Sequence, residues 1–115
     1  MDAFEDLEVW KKSSALAVGI YHALRNCRDR SLKDQITRAA VSVPSNIAEG
    51  FERNSSRQFI QYLRIAKGSC GEFRSQLYLL RKIGLINRDS FEQLRQEAIE
   101  VSKMLQGLIK HCSNN

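Results

Sequence analysis

The chain has 115 residues, 27% charged and 43% hydrophobic, the balance of one folded domain with a single core, assigned to residues 1–115. No apolar run approaches the roughly 18 residues of a membrane span. The opening MDAFEDLEVW holds four acids and no base, the reverse of a signal or transit peptide, so the expected location is the cytoplasm. The net charge of +5 is unevenly placed: residues 53–88 hold eight basic side chains against one acid, Glu72. Such a concentration favours an anionic partner, RNA or DNA, over a neutral one.

Four helical patterns succeed one another, with no strand-like alternation between them. In the first, Leu7, Trp10, Ala17, Ile20, Leu24 and Cys27 recur at helical spacing and stop in the polar RDRS stretch, residues 28–31. The second runs Leu32, Ile36, Ala39/Ala40, Val43, Ile47 and Phe51, and ends at a turn around Arg53-Asn54-Ser55, with Ser55 or Ser56 as the next N-cap. The third is a heptad seam: Phe59, Leu63, Ala66, Cys70, Phe73, Leu77 and Leu80, closing at Gly84, a natural C-terminal residue. Asn87 or Asp89 opens the fourth, whose seam is Phe91, Leu94, Ala98, Val101, Leu105, Leu108 and Cys112. Short connections between four such helices predict an all-α, antiparallel up-and-down four-helix bundle.

Pro44, the only proline, sits inside the second pattern, in VSVPSNIAEG. A proline in a helix interior costs about 3 kcal/mol. The apolar phase nevertheless continues from Ala40 and Val43 to Ile47 and Phe51, which predicts a helix kinked at Pro44 rather than ended there. The rival is a restart, because Asn46 with Glu49 three residues on has the form of a capping box. A catalytic reading of this stretch is weak. Ser42 and Ser45 have no histidine or lysine nearby in sequence to activate them, and Glu49 is a lone carboxylate. Asn46 and Glu49 are expected to bond to backbone freed by the proline or to a neighbouring helix. Ala39, Ala40 and Ser42 are expected to face Ala66, Gly68, Ser69 and Gly71, with the glycines marking close backbone approach.

Other chemistry is thinly represented. Cys27, Cys70 and Cys112 are odd in number and widely spaced, which fits neither a zinc site nor a disulfide framework. His22 and His111 lack a surrounding ligand set. KGSCGE, residues 67–72, is not the phosphate-binding pattern GxxxxGK[ST] and is preceded by no strand. No metal, no cofactor and no enzyme activity are expected.

The third helix carries two further features. With Phe59 at a d position, Tyr62, Ile65, Leu79 and Ile83 form an apolar flank at c and g, too wide for one bundle to cover, and predict self-association. The opposite flank, at b and e, carries Arg57, Arg64, Lys67, Arg74 and Arg81, the candidate nucleic-acid-binding residues.

The run QITRAAVSVPSNIAEGFER, residues 35–53, with IAKGSCGE at 65–72 and LEVW at 7–10, closely resembles the bacterial four-helix-bundle proteins named for 23S rRNA intervening sequences. The likeness extends from about Phe4 to about Leu108. Ser42, Pro44, Asn46, Glu49 and Gly50 lie in its most specific part, and Gly68 in its second block. Cys70 stands where a leucine or similar residue is more usual. The resemblance implies a ring-like homopentamer without enzyme activity. The accessory proteins of diversity-generating retroelements are more distantly similar in fold and pentamer and are associated with nucleic-acid binding, but this chain lacks that branch's sequence character and is placed in the main family. The expected function is therefore a non-enzymatic oligomer that contacts phosphates through the basic flank, RNA favoured. The alternative is a homo-oligomeric scaffold for a protein partner, in which those bases pair with acids such as Asp6, Glu8, Glu92 or Glu97.

Overall fold

The computed structural model describes residues 3–114; Met1, Asn115 and Asp2, the last part of the acidic start, lie outside them. A 3-10 turn at Phe4–Asp6 leads into α1 (Glu8–Ala23), α2 (Arg30–Glu52), α3 (Ser56–Ile83) and α4 (Arg88–Ser113). Each helix packs on its two neighbours around a square, α1 on α2 and α4, and α3 on α2 and α4, while the diagonal pairs make no close approach. Cross-helix partners run in opposite numerical directions. Ser42 meets Ser69 and Gly50 meets Tyr62; Lys67 meets Gln106 and Tyr78 meets Phe91; Lys12 meets Glu100 and Gly19 meets Leu94. The bundle is thus antiparallel and up-and-down, 45 Å long and 19 Å across.

Local chemistry fixes the helix ends. The Asp29 carboxylate accepts the Leu32 N–H at 3.1 Å, Ser55 Oγ accepts that of Gln58, and Asn87 Oδ1 accepts that of Ser90 at 2.8 Å. Each satisfies one of the N–H groups that a helix start leaves without an internal partner. α3 closes in a Schellman motif. Gly84 takes φ +89°, its N–H donates to Arg81 O, and the Leu85 N–H donates to Leu80 O at 2.9 Å. Asn54, in the turn before α3, adopts φ +55°, a conformation asparagine tolerates better than most residues.

The heptad seam of α3 is the buried stripe from Leu63 to Leu80, as its spacing predicts. α2 is continuous through Pro44, so the restart at Asn46 does not occur. Three details depart from the expected seams. In α1 the deepest positions are Val9, Ser13, Leu16 and Ile20, with Trp10 and Ala17 half-buried beside them and Cys27 in the connection beyond the helix. Ser13 is the one buried polar side chain among the described residues, and its hydroxyl donates to Trp10 O at 3.1 Å. In α4 the last inward residue is Ile109 rather than Leu108, because the seam takes a step of four after Leu105.

The glycines also correct an expectation. Gly68 and Gly71 are exposed, and a Cβ at either would meet nothing within 4 Å. The close approach lies at Gly50, where a Cβ would fall 2.5 Å from Tyr62 Cβ and 3.2 Å from Phe59 Cδ1. Gly50→Ala forces α2 and α3 apart, an overpacking cost of about 1–3 kcal/mol that exceeds the roughly 1 kcal/mol gained in helix propensity. Gly68→Ala gains the propensity with no clash. Thermal unfolding of the two variants is expected to show shifts of opposite sign, downward for Gly50→Ala and upward for Gly68→Ala.

Candidate nucleic-acid interface

The seam of α3 turns its inward side to the core, so its flanks lie against α2 on one side and α4 on the other. Arg57, Arg64 and Arg81 are exposed, and Lys67 and Arg74 are half-buried. Lys67 Nζ donates to Gln106 Oε1 of α4 at 2.6 Å, and an Arg81 guanidinium N–H donates to Ile86 O at 3.3 Å. The basic flank therefore borders α4. Among the described residues, none of the five forms an ion pair. The pairs present are Lys11–Glu8, Lys12–Glu100, Arg53–Glu49 and Arg95–Glu92. Glu8 and Glu92, two of the acids considered as partners for the stripe, are engaged within their own helices.

An open hollow separates Arg57, Gln61 and Arg64 from Cys112 and Ser113. A second lies between Arg64, Lys67 and Gly68 on one wall and Gln106 and Ile109 on the other. Arg64 belongs to both, so the two form one groove along the outside of the α3–α4 pair. Arg74 and Arg81 sit further along, where Tyr78 packs edge-on to Phe91.

On the α2 side, Ile65, Leu79 and Ile83 are 45–54% exposed and form the apolar flank read from the sequence. Tyr62 does not belong with them. It is half-buried over Gly50, its hydroxyl accepts from Arg53 at 2.8 Å, and the Arg53 guanidinium lies 5.2 Å from its ring centre. Its contacts tie α3 to the end of α2. Sequence spacing cannot separate a g-position tyrosine that folds back onto a neighbour from one that faces outward. Val18 and Tyr21 of α1 and Val41 of α2 are also exposed, apolar side chains that the α3 pattern gave no reason to expect.

The polar side chains around Pro44 bond to one another and across to α3. Asn46 Nδ2 donates to Ser42 O at 2.7 Å and to Ser42 Oγ at 2.9 Å, and Ser42 Oγ shares a hydrogen bond of 2.9 Å with Ser69 Oγ of α3. The carbonyl that Pro44 leaves without its usual N–H is that of Ala40, so Asn46 serves a different backbone group from the expected one. Glu49 is exposed and pairs only with Arg53. Ser42 thus bonds to an amide and a hydroxyl, neither of them a base, and bridges α2 to α3.

The remaining reactive groups obey the same logic. Burial pushes the Cys70 thiol up, against the opposing pull of Arg74, and its S–H donates to Ala98 O at 3.3 Å. A thiol held protonated in a core is a poor nucleophile. Burial likewise raises Cys112. Among the described residues no three His, Cys, Asp or Glu side chains come together to hold a metal ion, and no helix is long and apolar enough to cross a membrane.

Comparison with curated proteins finds no match. A solved structure of a protein of unknown function from the S23 ribosomal protein family of Bacteroides thetaiotaomicron VPI-5482 is similar, with 29% identity and a TM-score of 0.82 over 89% of this chain and 95% of that one. The family model described as 23S rRNA-intervening sequence protein matches residues 5–107, nearly the whole bundle. The RAAVSVPSNIAEG segment that bridges α2 to α3 lies within that match, and the chain belongs to the 23S rRNA-intervening sequence protein family.

Proposed function

We propose that the protein is a non-enzymatic, self-assembling nucleic-acid-binding module that holds RNA by its phosphates. The observation that carries the proposal is the set Arg57, Arg64, Lys67, Arg74 and Arg81 along α3, none of which has a carboxylate partner among the described residues. Unpaired guanidinium and ammonium groups on a rigid helix release counterions when they meet phosphate, which supplies affinity without sequence readout.

Assembly raises affinity by repeating the stripe. The apolar flank of α3 and the exposed Val18, Tyr21 and Val41 elsewhere on the bundle suit a head-to-tail contact, in which unlike surfaces of successive copies meet and the chain of contacts closes into a ring. Five copies is the number that the resemblance implies.

A labelled structured RNA titrated with nuclease-treated protein tests the binding. The expected result is micromolar or tighter affinity, with log K falling against log salt at a slope of roughly −2 to −3.5 for three to five phosphates on single strands. The Arg64→Glu/Arg74→Glu double variant should still assemble and should lose binding. Absence of binding at low salt refutes the nucleic-acid reading and leaves a protein-binding scaffold. Separately, light scattering on Ile65→Glu/Leu79→Glu should report a fall to the monomer mass. An unchanged mass removes α3 from the assembly contact.

A further inference from the structure

The basic side chains are not confined to α3. Lys103, Gln106, Lys110 and Ser113 recur at steps of three, four and three, which places them on one face of α4. Two of the four are located by contact: Gln106 accepts from Lys67, and Ser113 lines the hollow that Arg57 and Arg64 border. Lys103 and Lys110 therefore flank the groove from the α4 side, and both are exposed.

Charge separates the two ends of the α3–α4 pair. Residues 53–71 and 101–113, the facing halves at this end, contain Arg53, Arg57, Arg64, Lys67, Lys103 and Lys110 and not one Asp or Glu. Every acid of α3 and α4 lies toward the other end: Glu72, Asp89, Glu92, Glu97 and Glu100. Arg74 and Arg81 lie there too, within the acidic half.

We propose that the nucleic-acid site is this groove end, walled by Arg57, Arg64 and Lys67 on α3 and by Lys103 and Lys110 on α4, and that its occupant is a single strand lying lengthwise between the helices. The inference rests on the nucleic-acid reading above and narrows it. From Arg57 to Lys67 is ten residues, about 15 Å along the helix, a length for a few phosphates. Adjacent helices pack with axes about 8–10 Å apart. The strip between them is narrow enough for one sugar–phosphate chain to touch both walls, whereas a duplex rests on the rims. Gly68 leaves the α3 wall without a side chain where Lys67 and Gln106 meet. No aromatic ring lines either hollow, so bases make no stacking contribution and the site discriminates little among sequences. The apolar flank of α3 faces the other way, so assembly through it leaves the groove open.

The test compares two neutralised variants of full-length protein on a labelled oligouridylate and on a matching RNA duplex, across a salt series. Each phosphate contact on a single strand contributes about 0.7 to the slope. Lys103→Gln/Lys110→Gln should therefore flatten the slope by about 1.4 and weaken binding roughly tenfold at low salt, a greater loss than Arg74→Gln/Arg81→Gln causes. Gly68→Gln changes no charge. It should weaken binding while raising the melting temperature, which separates an obstructed groove from a damaged fold. Equal losses in the two pairs, or a greater loss from Arg74 and Arg81, overturn the proposed site while leaving the broader function standing. Tighter binding of the duplex overturns the single-strand assignment. Failure of the wild-type protein to bind either probe defeats the function itself.

Discussion

The contact between α2 and α3 at Gly50 sets the arrangement of everything functional on this bundle. Tyr62 occupies the space that a Cβ at residue 50 would need, and eight residues earlier in α2 the Ser42–Ser69 hydrogen bond, braced by Asn46, joins the same two helices. Two fixed points along a pair of helices allow neither rotation nor sliding. With α3 held in that rotation its c and g positions lie toward α2 and its b and e positions toward α4. Arg64 then borders α4, and Ile65, about 100° further round the helix, falls on the opposite side.

This gives the polar residues around Pro44 a mechanical role. A hydroxyl pair bridged by an amide is a modest interaction, about 1 kcal/mol for each net hydrogen bond. It is directional, though, and the apolar stripe of Val43, Ile47, Leu63 and Ala66 is not. Apolar burial drives the helices together, and the Ser–Asn–Ser bridge with the Gly50–Tyr62 contact specifies how they meet. Pro44 is tolerated within a continuous α2, whose buried stripe extends to both sides of it.

The fold was legible because period and punctuation agreed. Leu63, Ala66, Cys70, Phe73, Leu77 and Leu80 keep the heptad rhythm of α3, Gly84 ends it, and Ser55 and Asn87 cap the starts of α3 and α4. The site was legible only in part. Gly50 and Gly68 look alike in sequence, each a glycine in a helical run. Only the neighbouring helix shows that one is obligatory for packing and the other faces open space. Tyr62 had an outward heptad letter and a neighbour, Arg53, that drew it back. Lys103 and Lys110 are two lysines in an ordinary amphipathic helix, and they gain meaning only when α4 lies antiparallel beside Arg57, Arg64 and Lys67. Helical spacing orders residues around one axis and carries no information about which face of the next helix they will meet.

The groove end is also where local choices run against stability. The first turn of α3 carries Arg57 and no acid, although the positive end of the helix dipole favours a carboxylate by about 0.3–1 kcal/mol. Gly68 and Gly107 occupy exposed helix interiors with nothing packed against them, each at a cost of about 1 kcal/mol relative to alanine. Five cations, Arg57, Arg64, Lys67, Lys103 and Lys110, gather there without a single intervening acid in the two segments that carry them. Elsewhere the sequence behaves differently. Glu8 with Lys11 and Glu92 with Arg95 are paired within a turn, and the α3 terminus has the residue its geometry demands. Concessions of this kind gather at functional sites when the rest of a fold is locally consistent. Their coincidence at one end of the α3–α4 pair ties the unfavourable glycines and the unpaired cations to a common cause. An anionic chain lying close against both helices would use the bare backbone and neutralise the charge.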